Sequence, residues 1–393
     1  MKLLRTLSTG SLVLLVAAFA IVVVGGTAIA IAAGGGGPVP AAKPLPQAIH
    51  DGLAAPEPDG VTARIKFTNR LFPSGALEGQ VGSALMSGAS GRLWLTNDGR
   101  GRVELQSTAG DVQIVWGKDR VTVYDASSNT VYSANLPAMK AHPADKGGAG
   151  PSIAEIGDFL SKLGKEADVS AAQPTNVAGE PAYTVKVSPR KSGGLLGSLQ
   201  LAWDAARGTP LRAAIYARGG TKPVLALEAT NIRYGSVPAR DVAVPPPAGA
   251  KKVDLGRPSA PEQRDKAGMS HQAPAAKGLG AVQAAAGFPV MAPDRLSGLH
   301  RSVVRLVGQG DKKAVLVVYG EGLGAIAVVE RPVDATSGGQ FGSLPKVPLD
   351  GVLGHELATP LGTVLEWSRG GVAYVLAGSV TPGTAESVAR NLR

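Results

Sequence analysis

Apolar and polar positions change period along the chain, and each change marks an element. Ser11 to Ala33 is an unbroken uncharged run of Leu, Val, Ile and Ala, close to the roughly 20 residues a helix needs to cross a bilayer. Lys2 and Arg5 precede it, so residues 1–10 read as a cytoplasmic tip and residues 34–393 as lying outside the membrane. Ala28-Ile29-Ala30 also offers a small-residue cleavage site, which makes a secretory signal the alternative to an anchor. Residues 34–43, rich in Gly, Pro and Ala, read as a flexible spacer. Leu45, Ala48, Ile49 and Leu53 then recur at helical spacing and predict a short amphipathic helix ended by Pro56 and Pro58.

Beyond Gly60 the period falls to two. Val61, Ala63, Ile65 and Phe67 alternate with Arg64, Lys66 and Thr68; Val103 and Leu105 alternate with Arg102, Glu104 and Gln106; Val112, Ile114 and Trp116 oppose Asp111 and Gln113. Such alternation predicts an antiparallel sheet with one apolar and one wetted face. Asn97-Asp98-Gly99, Ala109-Gly110-Asp111, Gly117-Lys118-Asp119 and Ser127-Ser128-Asn129 supply the turns between hairpins. After a Gly/Pro/Ala loop at 141–151, Ser152 and Glu155 have capping-box spacing, and Ile156, Phe159, Leu160 and Leu163 form one helical stripe. Strands resume at Tyr183-Val185-Val187, Leu199-Leu201-Trp203, Leu211-Ala213-Ile215 and Leu225-Leu227. A sheet of about ten strands accumulates twist and curls toward a barrel or half-barrel, with its apolar face inside.

From Pro245 to about residue 276 no apolar period survives, so 246–276 reads as a disordered linker. A second domain follows over 277–393. It opens with a short helix at Val282–Ala286 and Gly287 as its C-terminal stop. Strands are predicted at 302–307, 314–319, 325–330, 363–367 and 372–378, and a closing helix at 382–391.

Composition narrows the chemistry. The 393 residues contain no Cys and five scattered His, which excludes thiol catalysis, disulfides and a lipidated Cys and argues against a His-built metal centre. Lys+Arg 40 against Asp+Glu 30 gives a formal net charge of +10. On the outer side of a membrane that excess points to an anionic membrane surface rather than to nucleic acid. Motif-like strings fail on spacing. Gly320-Glu321-Gly322-Leu323-Gly324 lacks the dinucleotide spacing and reads as a hairpin turn. In His355-Glu356-Leu357-Ala358-Thr359 a Thr stands where a zinc helix needs its second His. No Gly-x-Ser-x-Gly elbow occurs. The expectation is a binding protein with no cofactor, no metal and no catalytic residue.

Gly91-Arg92-Leu93-Trp94-Leu95, Val103-Glu104-Leu105, Asp111 to Val115, Asp119 to Asp125 and Thr130-Val131-Tyr132 together resemble the strand series of the LolA-like lipoprotein carriers and of the related RseB (MucB)-like sigma-factor regulators. The resemblance covers about residues 44–245. It implies an α+β chain whose first domain is a half-open antiparallel β-barrel with a helical lid over an apolar cavity for acyl chains. The expected lining is Ile65, Phe67, Leu93, Leu95, Val103, Leu105, Ile114, Trp116, Val121, Val123, Leu201 and Trp203, and the expected lid is Ile156, Phe159 and Leu160. The carriers' functional Arg falls near Asn97, with Arg100 and Arg102 displaced by a few residues, so their latch does not carry over. Val317 to Leu323, Ala327 to Glu330 and Gly371 to Val380 are similar to the small C-terminal domain of RseB-like proteins, which implies contact with a partner protein. Two roles follow from these resemblances: holding the acyl chains of a lipid or lipoprotein, or regulating an anti-sigma factor or other membrane protein.

Overall fold

The computed structural model describes residues 37–72, 83–136, 151–190, 193–256, 276–308, 313–333, 341–342 and 344–392. The predicted tip and apolar segment at 1–33 lie outside these residues. Among the described residues no helix is long and apolar enough to cross a membrane.

The first domain is one large sheet. After helix α1 (Leu45–Ala54) the strands are β1 (Gly60–Asn69), β2 (Ala89–Thr96), β3 (Gly101–Ser107), β4 (Gly110–Trp116), β5 (Arg120–Asp125) and β6 (Thr130–Asn135). They run as an antiparallel meander, with helix α2 (Ser83–Ser87) between β1 and β2. Helix α3 (Ile153–Leu163) leads into β7 (Ala167–Val169), β8 (Gln173–Val177), β9 (Glu180–Pro189), β10 (Leu196–Asp204), β11 (Pro210–Ala217) and β12 (Leu225–Tyr234). The meander β9 to β12 returns to pair β12 with β1, which closes the order β13-β6-β5-β4-β3-β2-β1-β12-β11-β10-β9-β7, with β8 on β9. Here β13 is Lys251–Asp254, reached through helix α4 (Ala239–Val242). Thirteen strands with cumulative twist cannot lie flat, and the sheet curls into the expected half-barrel.

Two expectations change, and three short elements join those predicted. The segment predicted as linker from 246 contains β13, which pairs in parallel with β6 from Lys251↔Thr130 to Asp254↔Ser133. Val253 and Leu255 then pack on the main core. One apolar residue within a four-residue strand is too short a signal for periodicity, and residues 257–275 of that linker lie outside the description. The predicted spacer is pinned from Gly37 onward: Asn176 Nδ2 donates to the Pro38 carbonyl at 2.9 Å, and the Tyr183 hydroxyl donates to the Ala41 carbonyl at 2.5 Å. Two largely buried polar side chains find their acceptors there, as burial demands. Finally, β7, β8 and α2 carry no clear apolar period of their own, since each is short and is recruited by neighbours.

The second domain is an eight-stranded antiparallel sheet in the order β14-β15-β16-β17-β21-β20-β19-β18. Its strands are β14 (Arg295–Leu296), β15 (Leu299–Val307), β16 (Ala314–Tyr319), β17 (Ile326–Pro332), β18 (Lys346–Pro348), β19 (Leu353–Thr359), β20 (Gly362–Arg369) and β21 (Val372–Gly378). Helices α5 (Leu279–Ala286) and α6 (Pro382–Asn391) pack on this sheet. Val282 and Ala286 of the first, and Ala385, Val388 and Ala389 of the second, share one core with Val317, Ile326, Leu365 and Leu376. The glycine string at 320–324 is the β16–β17 turn, and His355 and Glu356 lie on β19 rather than on a helix. The domains touch at a glycine-lined contact: Leu195 N–H donates to Ser379 Oγ at 2.8 Å, and Ser379 Oγ donates to the Leu361 carbonyl. A Cβ on Gly324 would come within 2.9 Å of the Gly193 backbone, so only glycines permit this approach.

Glu330 sits in the apolar interior of the second domain, in the cross-strand row Val315–Glu330–Tyr374–Trp367. Its side chain is fully buried and accepts the Met291 N–H at 2.8 Å. Burial pushes its carboxyl up to about 7. A carboxyl raised above its unfolded value stabilises the fold while protonated, and the advantage is lost as pH climbs through the folded value. Stability of this domain should therefore fall between about pH 5 and pH 8, by an amount on the order of 3 kcal/mol attributable to Glu330. Urea unfolding at both pH values should show that Glu330→Gln removes that share of the slope; an unchanged slope would refute this assignment.

Candidate functional site

The concave face is built from rows of residues that meet strand by strand. One row runs Ala63–Leu93–Val103–Ile114–Val123–Tyr132, a second Val61–Leu95–Gly101–Trp116–Val121–Ala134, and a third begins Ile65–Gly91–Leu105–Val112. Across the β1–β12 junction these rows continue to Ile232, Tyr234 and Ala229, and Phe67 meets Leu227 beside them. All residues of the predicted lining on β1 to β5 face this way. Ile65, Phe67, Leu93, Val103, Leu105, Ile114, Trp116, Val121 and Val123 are buried in one core, and Leu95 and Leu201 are half-buried against it.

The face is filled, and small residues are the reason. Ala63, Ala134, Ala182, Ala202, Ala213 and Ala229 contribute to the same core, and Gly91 and Gly101 stand in its rows. Trp116 lies over Gly101, where a Cβ would fall 2.1 Å from the indole, and its Nε1–H donates to the Gly99 carbonyl at 3.0 Å. A strongly curled sheet lined with short side chains can close over its own interior with little help from helices.

What covers the face is α2. Ala84 and Leu85 are completely buried in the same core, and the helix rests on β1, β3 and β4. Buried Asn69 at the end of β1 holds it in place by donating to the Leu85 carbonyl at 2.7 Å and accepting the Leu71 N–H at 2.8 Å. Gly88, with φ +86°, lets the chain turn from α2 into β2 close over Phe67. The helical period missed this element because five residues do not complete two turns; only the apolar triplet Ala84-Leu85-Met86 marks it.

The predicted lid falls elsewhere. Helix α3 has the expected capping box, with Glu155 N–H donating to Ser152 Oγ at 3.3 Å and Ser152 N–H to Glu155 Oε2 at 2.8 Å. It packs on α1 and β7. Ile156 is buried, Leu160 joins a separate cluster with Leu45, Ala48, Tyr183 and Trp203, and Phe159 is 60% exposed. Trp203 thus belongs with α1 and α3 and not with the main face. An amphipathic stripe shows that a helix buries one side, but not which part of a sheet receives it.

A polar node closes the end of this face. Asp204, 1% exposed, accepts the Ala206 and Arg207 N–H groups and the Tyr234 hydroxyl, the last at 2.6 Å. Burial together with Asp204 raises the Tyr234 phenol far above its ordinary range. Among the described residues no three His, Asp or Glu side chains gather as metal ligands would.

No protein-family model and no curated protein matches the chain. Solved structures do. The chain is similar to a chain of the Pseudomonas aeruginosa MucA/MucB complex, at 18% identity over 88% of this chain and 94% of that one, with a TM-score of 0.39. It is also similar to a putative outer membrane lipoprotein-sorting protein domain from Vibrio parahaemolyticus, at 12% identity over 51% of this chain and 96% of that one, TM-score 0.22. A LolA superfamily protein from Nitrosomonas europaea matches at 9% identity over 52% and 99% of the two chains, TM-score 0.22.

The two candidate lids separate by mutation. Leu85→Ala should lower stability by about 3 kcal/mol, as for a fully buried Leu, whereas Phe159→Ser should change it by less than about 0.5 kcal/mol. Chemical denaturation checks both; a larger loss at Phe159 would return the lid to α3.

Proposed function

We propose that this chain is a membrane-anchored, extracytoplasmic binding protein without catalytic chemistry, which holds acyl chains of a lipid or lipoprotein against the concave face of its half-barrel. The observation that carries this reading is the set of apolar rows over β1 to β6 on which, among the described residues, the five-residue helix α2 rests. In the closed form Leu85 fills the position an acyl chain would take. Displacing α2 costs the burial of little more than Ala84 and Leu85. Each methylene of an acyl chain that replaces them contributes about 0.8 kcal/mol, so a chain of ordinary length outweighs the helix. The uncharged run at 11–33 supplies the anchor and Lys2 and Arg5 its orientation. The net charge of +10 favours an anionic membrane surface as the neighbouring phase.

A second reading is an RseB-like regulator that binds an anti-sigma factor or another membrane protein. It is favoured by the second domain, whose 317–330 and 371–380 segments carry the resemblance, and by the hydrogen-bonded contact of Leu195 with Ser379. In that reading acyl occupancy of the first domain modulates the partner contact through the β9–β10 turn.

Full-length protein extracted in mild detergent, purified and treated with organic solvent should release acyl lipid in near-stoichiometric amount by mass spectrometry. Correctly folded protein that carries none would sink the acyl reading. Affinity capture from membranes should return a membrane protein if the regulator reading holds, and an empty capture counts against it.

A further inference from the structure

The convex, polar face of the sheet carries a site of different chemistry. Three strands meet there in a block of cross-strand partners: Arg233 and Asn231 on β12, Thr62 and Arg64 on β1, Trp94 and Arg92 on β2. Thr62 stands opposite both Arg233 and Trp94, and Arg64 opposite both Asn231 and Arg92. These six side chains line a groove of about 490 Å³. A smaller hollow of about 290 Å³ adjoins it across Arg92.

Local backbone structure explains the groove. A bulge interrupts the β1–β12 register between Arg64 and Ile65 and leaves Thr230 as the extra residue. Thr230 Oγ1 donates back to the Arg64 carbonyl at 3.3 Å. Thr230 and Asn231 are therefore consecutive and both exposed, while Ala229 and Ile232 on either side are buried. Bulges of this kind re-aim side chains and sit preferentially beside functional sites. The far wall is fixed: the Arg102 guanidinium lies 4.8 Å from the centre of the Trp94 ring and donates to the Asp241 carbonyl of α4 at 3.2 Å.

Charge makes the block unusual. Arg64 and Arg92 are directly opposed like charges, an arrangement that costs stability, and Arg233 lies diagonally across from Arg64. All three are exposed, and among the described residues none forms an ion pair. Their neighbours are neutralised: Arg102 pairs with Glu104, and Arg212 with Glu228 at 3.1 Å. Glu104 stands opposite Arg92 in the β2–β3 register, but its carboxylate pairs with Arg102, and the cross-strand partners of Arg64 and Arg233 include no acid. Guanidinium forks match the oxygens of a phosphate in paired hydrogen bonds, and an indole beside them suits the boundary between headgroups and water.

We propose that this face docks on the phosphodiester headgroups of an anionic bilayer, with one headgroup seated among Arg64, Arg92 and Arg233. The occupant neutralises the opposed arginines, so binding removes a repulsion the free protein carries. Docking through the convex face leaves the concave face and α2 turned away from the contact, so the two sites work independently. The inference rests on the membrane-anchored reading above.

The test places the full-length protein in nanodiscs of phosphatidylcholine or of phosphatidylglycerol and labels arginines with phenylglyoxal, read by mass spectrometry. Arg64, Arg92 and Arg233 should be labelled in phosphatidylcholine and protected several-fold in phosphatidylglycerol, with protection fading as salt rises. Arg218, exposed on the β11–β12 turn, should label equally in both. Equal labelling of the three arginines in the two lipids overturns the proposal. Equal protection by glycerol 3-phosphate in phosphatidylcholine discs overturns it in favour of a soluble phosphate ester, and protection by polyglutamate alone in favour of an acidic polypeptide. Failure of the protein to enter either nanodisc refutes the anchored reading instead. A second readout needs no lipid: Arg64→Gln, whose cross-strand partners are Asn231 and Arg92, should raise the melting temperature by relieving the Arg92 repulsion, and a lowered value would contradict the strained-pair argument.

Discussion

The pairing of β1 with β12 is the constraint on which the first domain depends. It joins residues about 160 positions apart, from Val61↔Tyr234 to Asn69↔Leu225, and without it the chain would hold two separate meanders with exposed edges. Closing so long a loop costs entropy that only the completed face returns. On the concave side the junction brings Ala63, Ile65 and Phe67 against Ile232, Ala229 and Leu227, which makes one continuous core of the two halves. On the convex side the same register lines up Thr62 and Arg64 with Arg233 and Asn231. One ladder therefore sets both faces, and its bulge keeps the inward residues inward while it turns two polar ones out.

The composition has a structural counterpart. A chain with few aromatics and many Gly and Ala cannot fill a wide barrel with bulk, so the sheet curls until short side chains suffice. Trp116 over Gly101 shows the compromise: one large ring is admitted where its partner has no side chain at all. Such a face needs little covering, which is why a five-residue helix held by Asn69 closes it while the longer α3 packs at the end of the sheet against α1.

The second domain obeys the same packing rules with two helices on its sheet, yet it buries a carboxyl at the centre. Glu330 gains a hydrogen bond from Met291, which ties the segment between α5 and β14 to the sheet. The contact with the first domain is of another kind, built from backbone and glycine around Ser379, so it depends on close approach rather than on apolar area.

Much of this was legible in the sequence because alternation along a strand is a local property. Period-two runs marked β1, β3, β4 and β9 to β12, capping chemistry marked α3, and parity identified the inward residues of β1, β3 and β4, whereas those of β2 and β5 came with the family resemblance. The failed motifs were legible for the same reason, since a missing ligand or a wrong spacing is visible in a few residues. The sequence alone did not decide what lies over what. Short elements such as α2, β8 and β13 are recruited by neighbours distant in the chain and carry no period long enough to read. The destination of α3's apolar stripe and the meeting of Arg64, Arg92 and Arg233 both depend on strand order and register. Composition and periodicity determined which residues turn inward; only the tertiary pairing of β1 with β12 decided which of them meet, because that contact is made between segments that carry no local record of each other.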